Sequence, residues 1–433
     1  MTRLFLLFIV TCCCLSIDAQ TVVSDSAQTG EEARLTTFYS LATGQKTVTR
    51  NDDWHLAISI RPTQFPENPI GGTTIRMNEP IGVNVYYVPN AAAAQFNTVD
   101  ASAFKHWTKL HDSDVNINDG ALNSNRDLTN IYDFGWGTYN AATHHVVGDS
   151  LYLIELPDQQ VKKFQVVILN RDTAFDIKYA NLDNSDLHTI HITKKDYLGK
   201  KFVYLNLSTN AVMDKEPLTS EWDLQFLRYD ATDAIIGKHV PVVGVWLNTG
   251  AQAARRENHP QNDNYFGNLT FSANLNAIGW NWKQLTNSLS LESGKNELES
   301  FDFYTCDDSL TYFVKTVSGD YYKLVLTGYD NRSGKVRFYT EKLALTGIDE
   351  PTGDEIVNNL HIYPNPAQSV LNVLVPTVPS TLRVMDISGR VISEYSATDN
   401  LVQYNTADLT NGVYLMQVNA AGKTSTSKFI VSK

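Results

Sequence analysis

EWDLQFLRYDA, residues 221–231, decides the fold of this chain. In an extended backbone successive side chains alternate faces, so Trp222, Leu224 and Phe226 share one side. Asp223, Gln225 and Tyr229 take the other side, with Leu227 the one apolar exception. DDWHLAISIR at 52–61 has the same pattern: Trp54, Leu56, Ile58 and Ile60 on one face, His55, Ala57, Ser59 and Arg61 on the other. The same strand occurs twice.

Working outward, the surroundings repeat as well. FYSLATG (38–44) precedes the first copy as YLNLSTN (204–210) precedes the second. FGWGTY (134–139) is answered by IGWNWK (278–283), DSLYLIEL (149–156) by DSLTYFVK (308–315), and FQVVILN (164–170) by YKLVLTG (322–328). The echoes keep one order at a spacing of about 160–168 residues, the mark of a duplicated domain. The expected copies span 36–182 and 200–345.

The whole chain, 433 residues, has room for two or three domains with proper cores. A net charge of −12 and a pI of ≈ 5.3 speak against a nucleic-acid groove or a binder of anionic membranes. Aromatic content of 11%, with 21 Tyr, suits pleated sheets, on which flat rings pack well. Residues 1–19 read as a secretory signal: Arg3 at the start, an apolar core to Leu15, and Ala19 before a cut at Gln20. A lipoprotein cut at one of Cys12, Cys13 or Cys14 is the competing reading. With the signal removed, Cys306 is the one cysteine left, which leaves no intrachain disulfide. The polar stretch 20–35 reads as a flexible leader. A short helix is expected over 91–104, where alanines begin a run free of Pro and Gly. The polar runs 111–130 and 249–265 read as long loops, the usual working surface of a compact domain.

TSEWDLQFLRYD, IGWNWK and YFVKTVSGDYYKLVLTGYDNRSGKVRFYTEKL together resemble the HmuY-type haem-binding proteins, well across 200–345 and more faintly across 36–182. The resemblance implies an all-β, mostly antiparallel domain, present as two tandem copies, that takes haem through axial side chains. Known members are single-domain lipoproteins, whereas this sequence has two copies.

GIDEPTGDEIVNN reads as a linker (346–358). Beyond it, short alternating strands with glycine-rich turns fit a small immunoglobulin-like β-sandwich over 359–433. The segment closely resembles the C-terminal sorting domain of the type IX secretion system. The resemblance rests on Pro364, Asn365 and Pro366, Asp386 with Gly389 and Arg390, Leu409 with Asn411, Gly412, Val413 and Tyr414, and the terminal run from Lys428 to Val431. It implies a partner, the secretion machinery, and a destination at the outer-membrane surface or outside the cell.

No HExxH helix, GxSxG elbow, P-loop or paired-cysteine zinc pattern occurs, so no enzyme is expected. Haem would need an imidazole or thioether ligand, an apolar slot and groups for its propionates. In the second copy His239 and His259 flank Trp246, Arg255 and Arg256, which supply two imidazoles and a guanidinium pair suited to carboxylates. His106, His111, His144 and His145 are the first-copy candidates, and Met77 and Met213 are possible soft ligands. His188 and His191 fall on opposite faces of a strand. The expected function is an exported haem- or porphyrin-binding protein. The alternative is a surface recognition or adhesion module for a glycan or protein, with Trp107, Trp136 and Tyr139 exposed for stacking.

Overall fold

The computed structural model describes residues 22–62, 70–233, 237–264, 266, 269–290, 299–343, 361–363, 366–374, 380–397, 401–420 and 423–433. The expected signal at 1–19 and linker at 346–358 lie outside the described residues. The protein is all-β: its strands pair antiparallel throughout the named sheets, and the described helical turns are short 3₁₀ pieces. The chain divides into two compact units, Met1–Ala344 and Leu345–Lys433.

The first unit holds two sandwiches, and their strands do not follow the sequence repeats. In the first sandwich a sheet ordered Ala211–Met213, Phe202–Asn206, Leu56–Ser59, Ile75–Met77 packs on a larger one that runs from His188–Thr193 through Ala174–Asn181, Val161–Asn170 and Ser150–Glu155 to Asn84–Ala92 and Lys109–Leu110. In the second, the sheet Lys238–Leu247, Leu224–Asp233, Leu35–Tyr39, Lys46–Arg50 packs on Val22–Gln28, Lys335–Leu343, Tyr321–Asp330, Thr311–Lys315 and Gln252–Arg256. Each repeat therefore gives its opening edge strand and hairpin to the sandwich of the other.

The exchange keeps one register. Tyr204 pairs with Ala57 and Leu205 with Leu56, while Phe38 pairs with Gln225 and Tyr39 with Leu224. Edge-on aromatic pairs seal both junctions: Trp54–Tyr204 and Phe38–Trp222 each have centroids 4.9 Å apart at 69°. Asn78 donates its amide to the carbonyls of Asn51 and Trp54 at 2.8 and 3.0 Å, and Asn248 does the same to Thr219 and Trp222 at 2.6 and 2.5 Å. Even the bulge recurs, between Val166 and Ile168 and between Leu326 and Gly328. The crossing segments meet in an ion pair, Lys215 Nζ to Asp53 Oδ1 at 2.7 Å.

Several local expectations are corrected. Val22–Gln28, taken as part of a flexible leader, is the edge strand of the second sandwich and pairs with Lys335–Leu343. No α-helix covers 91–104: the strand Asn84–Ala92 runs into it and two 3₁₀ turns, Ala93–Gln95 and Phe104–His106, follow, because Tyr86, Val88, Phe96 and Phe104 pack into one small core and fix the chain non-helically. The loop 111–130 is not a free working surface. Arg76 donates to the carbonyls of Ser113, Asn116 and Ile117 at 2.8, 3.3 and 3.2 Å, and Leu275 N donates to Val115 O at 2.8 Å, so the loop mortars the two sandwiches together. The run 249–265 contains the strand Gln252–Arg256 rather than being loop throughout.

The outer faces of the two tryptophan strands look at one another across this junction. Leu227, Tyr229, Ala231 and Trp246 pack on one side, Ala57, Phe202 and Tyr204 on the other, and Ile117 touches both groups. Buried charge is threaded between them. The Glu216 carboxylate accepts from Lys201 N, Phe202 N and the Tyr204 hydroxyl at 2.9, 3.2 and 2.6 Å. Burial pushes the Lys201 ammonium down and the Glu216 carboxyl up.

The second unit is a smaller sandwich of two sheets, His361–Tyr363 with Val370–Leu374 and Leu401–Asn405, and Val391–Ala397 with Ser380–Asp386, Gly412–Ala420 and Lys423–Val431. Leu371, Val373, Leu382, Val384, Met416 and Phe429 fill its core. Asp386 closes the turn to Arg390, taking Ser388 N and Arg390 Nε at 2.9 Å each. Pro364 and Asn365 lie outside the described residues.

Candidate functional site

The residues singled out for haem are dispersed. His239 lies in the strand Lys238–Leu247, opposite Thr232, with its ring stacked on His111. Arg255 and Arg256 are in the edge strand of the other sheet. Arg255 binds Glu257 and Asn281, and Arg256 is buried against Phe313 with its Nη2 on the Asp263 carbonyl at 2.7 Å. His259 is exposed, 3.7 Å from Asp263. His239 and the two arginines thus lie in different sheets of the second sandwich. Met77 is core, Met213 is half-buried beside Tyr204, and His106 sits in a 3₁₀ turn. His144 takes the Tyr139 hydroxyl at 2.7 Å, His145 takes Arg171 N at 3.3 Å, and His188 and His191 pair with Asp186 and Asp176.

Trp136 corrects the expectation of exposed loop aromatics. It is fully buried and donates Nε1 to the Thr73 carbonyl at 2.9 Å, because Gly135 at φ +85° turns the chain inward. Its counterpart turn, with Gly279 at φ +68°, does something different. There Trp282 is the ring driven into the core and Trp280 is left half-exposed.

Trp280 walls a groove of ≈ 530 Å³ in the second sandwich. Tyr304 and Tyr329, edge to face at 5.1 Å, line it as well, as do Leu285, Val242, Val243, Arg228 and Glu32. Lys283 sits in the floor with its ammonium 4.5, 5.7 and 5.1 Å from the rings of Trp282, Tyr304 and Tyr329. It donates to the carbonyls of Val243 and Trp280. Burial pushes it down to about 7, against the opposing pull of Cys306. The groove thus brings three aromatic rings together with Arg228, Lys283 and the Glu32 carboxylate, on the scale of a small-ligand site.

By contrast, the cavity between the two sandwiches measures only ≈ 70 Å³, room for a few waters. No imidazole or thioether lines the aromatic groove among the described residues, and burial raises the Tyr329 phenol to about 12, so it stays protonated. Among its described lining residues the groove therefore offers a haem iron no usual ligand. At the other candidate position, His111 and His239 lie 3.9 Å apart and nearly parallel at 10°, which leaves no layer between them for a macrocycle.

In the sequence, Trp280 and Lys283 belong to the repeated motif at 278–283, and Tyr329 to the run that resembles the HmuY-type proteins. What the sequence did not carry was that the equivalent turns diverge, so that one copy buries what the other presents.

Residues 361–432 match the secretion system C-terminal sorting domain family. The second unit is accordingly a sorting domain of the type IX system, and the chain is cargo for export to the cell surface or beyond it. No curated protein matches the chain. Among solved structures it is similar to PorZ, a surface component of the type IX secretion system of Porphyromonas gingivalis, at 11% identity and TM-score 0.17, covering 68% of this chain and 44% of that one. It is also similar to the apo HmuY analog of Tannerella forsythia, at 11% identity and TM-score 0.16, covering 76% of this chain and 99% of that one. The chain thus spans less than half the length of PorZ, and superpositions this loose carry no inference about a ligand. No helix among the described residues is long and apolar enough to cross a membrane.

Proposed function

We propose that this exported protein binds a porphyrin, or a similarly flat ligand bearing carboxylates, in the groove walled by Trp280, Tyr304 and Tyr329, and that it acts by binding rather than by catalysis. The observation that carries the reading is that Trp280, Tyr304 and Tyr329 line one ≈ 530 Å³ space together with Arg228 and Lys283, which outnumber its one carboxylate, Glu32. Stacking on the rings supplies affinity, since desolvated aromatic contacts each contribute about 1 kcal/mol beyond area burial. Arg228, half-exposed at the end of the groove, takes a carboxylate through its planar fork. Recognition runs through the macrocycle and its carboxylates rather than through the iron.

The test is a titration of the purified protein with haemin, followed by the Soret band and by tryptophan fluorescence. Trp280→Ala should weaken binding at least tenfold, about 1.4 kcal/mol, and Arg228→Ala by a similar factor. His239→Ala and His259→Ala should leave it unchanged. Binding that ignores Trp280→Ala and is lost with either histidine would overturn the reading.

A further inference from the structure

Glu79, His111 and His239 bring one ligand atom each to within 4.8 Å of one another. Glu79 opens the 3₁₀ turn Glu79–Ile81 just after the strand Ile75–Met77, and His111 follows the strand Lys109–Leu110, so both belong to the first sandwich. His239 comes from Lys238–Leu247 of the second. The Glu79 side chain is only 5% exposed. His111 Nδ1 and Lys109 Nζ approach its Oε1 at 2.7 and 2.9 Å, but neither contact has the alignment of a hydrogen bond. Nδ1 of His239 is buried with no hydrogen-bond partner. A buried carboxylate with poorly aligned contacts, beside two stacked imidazoles, lacks the satisfied geometry that such groups ordinarily reach.

We propose that these three residues bind a divalent transition-metal ion of the zinc class, clipping the first sandwich to the second. Two neutral imidazoles and one carboxylate form a borderline-soft donor set that suits zinc and its neighbours and leaves one position to solvent. The ion would orient each donor and remove the misalignment. It would displace the Lys109 ammonium, whose side chain is 34% exposed and free to swing into water. The surrounding charges balance, with Asp114 and Asp230 near the cluster against Lys109 and, beside Asp230, Arg228, which leaves the Glu79 carboxylate as the negative charge an ion would meet. The site is independent of the aromatic groove.

The experiment uses tag-free protein stripped with EDTA and titrated with zinc chloride by calorimetry, then with cobalt chloride to read the visible ligand-field bands. The expected result is one ion per chain. Binding should weaken at least a hundredfold in His111→Ala and in His239→Gln, a substitution that keeps the side-chain bulk of a half-buried position. His259→Ala should bind as the parent does. Zinc should raise the melting temperature of the parent and not of His239→Gln, with circular dichroism verifying that both are folded. A flat titration, a non-saturable one, or binding that survives both substitutions would overturn the proposal.

Discussion

His55 and Asp223 occupy the same place in the two repeats and show how far one residue can be read. Nδ1 of His55 accepts the Leu207 N–H at 3.0 Å, as Oδ2 of Asp223 accepts the Leu41 N–H at 2.8 Å. Protonating the imidazole would turn that acceptor into a second donor, and burial holds His55 down at about 4. The folded form therefore stays neutral where the unfolded form, near the ordinary 6.5, takes a proton. His55 contributes its full stability above pH 6.5 and loses it as pH falls to 4, a change of roughly 2–3 kcal/mol. His55→Asn keeps an acceptor and removes the titration, so its stability should fall less between pH 7 and pH 4.5 in urea unfolding. An unchanged fall would exclude His55 as the source. In the sequence His55 was simply a polar-face residue, because the acceptor role depends on a backbone N–H supplied by the other repeat.

Among elements, the tryptophan strands were the most legible. Alternation correctly put Leu56, Ile58 and Ile60 in one core. It could not say that the opposite face is also covered, since a period of two does not distinguish solvent from a second packed layer. Trp54 departs from the pattern by joining Ala57, Phe202 and Tyr204, because residues 51–55 precede the strand proper. The turns were legible as repeats and opaque as function. Gly279 at φ +68° faces Gly244, where a Cβ on Gly244 would meet the Gly279 carbonyl at 2.5 Å. Gly279→Ala strains a left-handed residue at about 1–2 kcal/mol and shifts Trp280, the groove wall beside it. It should lower the midpoint of denaturation and weaken haemin binding together. A variant that loses stability while binding normally would separate the turn from the groove.

For the whole molecule, export was legible in the sequence, and the partition of strands was not. Repeats report ancestry, whereas pairing partners are chosen in space, and the two opening hairpins match either sandwich at the same register. In this chain neither sandwich is built from one repeat alone. The connection between Ala174–Asn181 and His188–Thr193 is exposed, so a protease site introduced across residues 183–187 should be cleaved in the folded protein. The two fragments should then elute together at the parent size and separate only in denaturant. Fragments that part in native buffer would contradict the exchange.

The central claim is that the groove reads a ring and its carboxylates and leaves the iron alone. The most direct measurement is competition between haemin and iron-free protoporphyrin IX for the purified protein. Equal affinities, within about threefold, are the predicted result. Haemin binding a hundredfold tighter, about 2.7 kcal/mol, would mean that a side chain ligates the iron and that the site lies elsewhere.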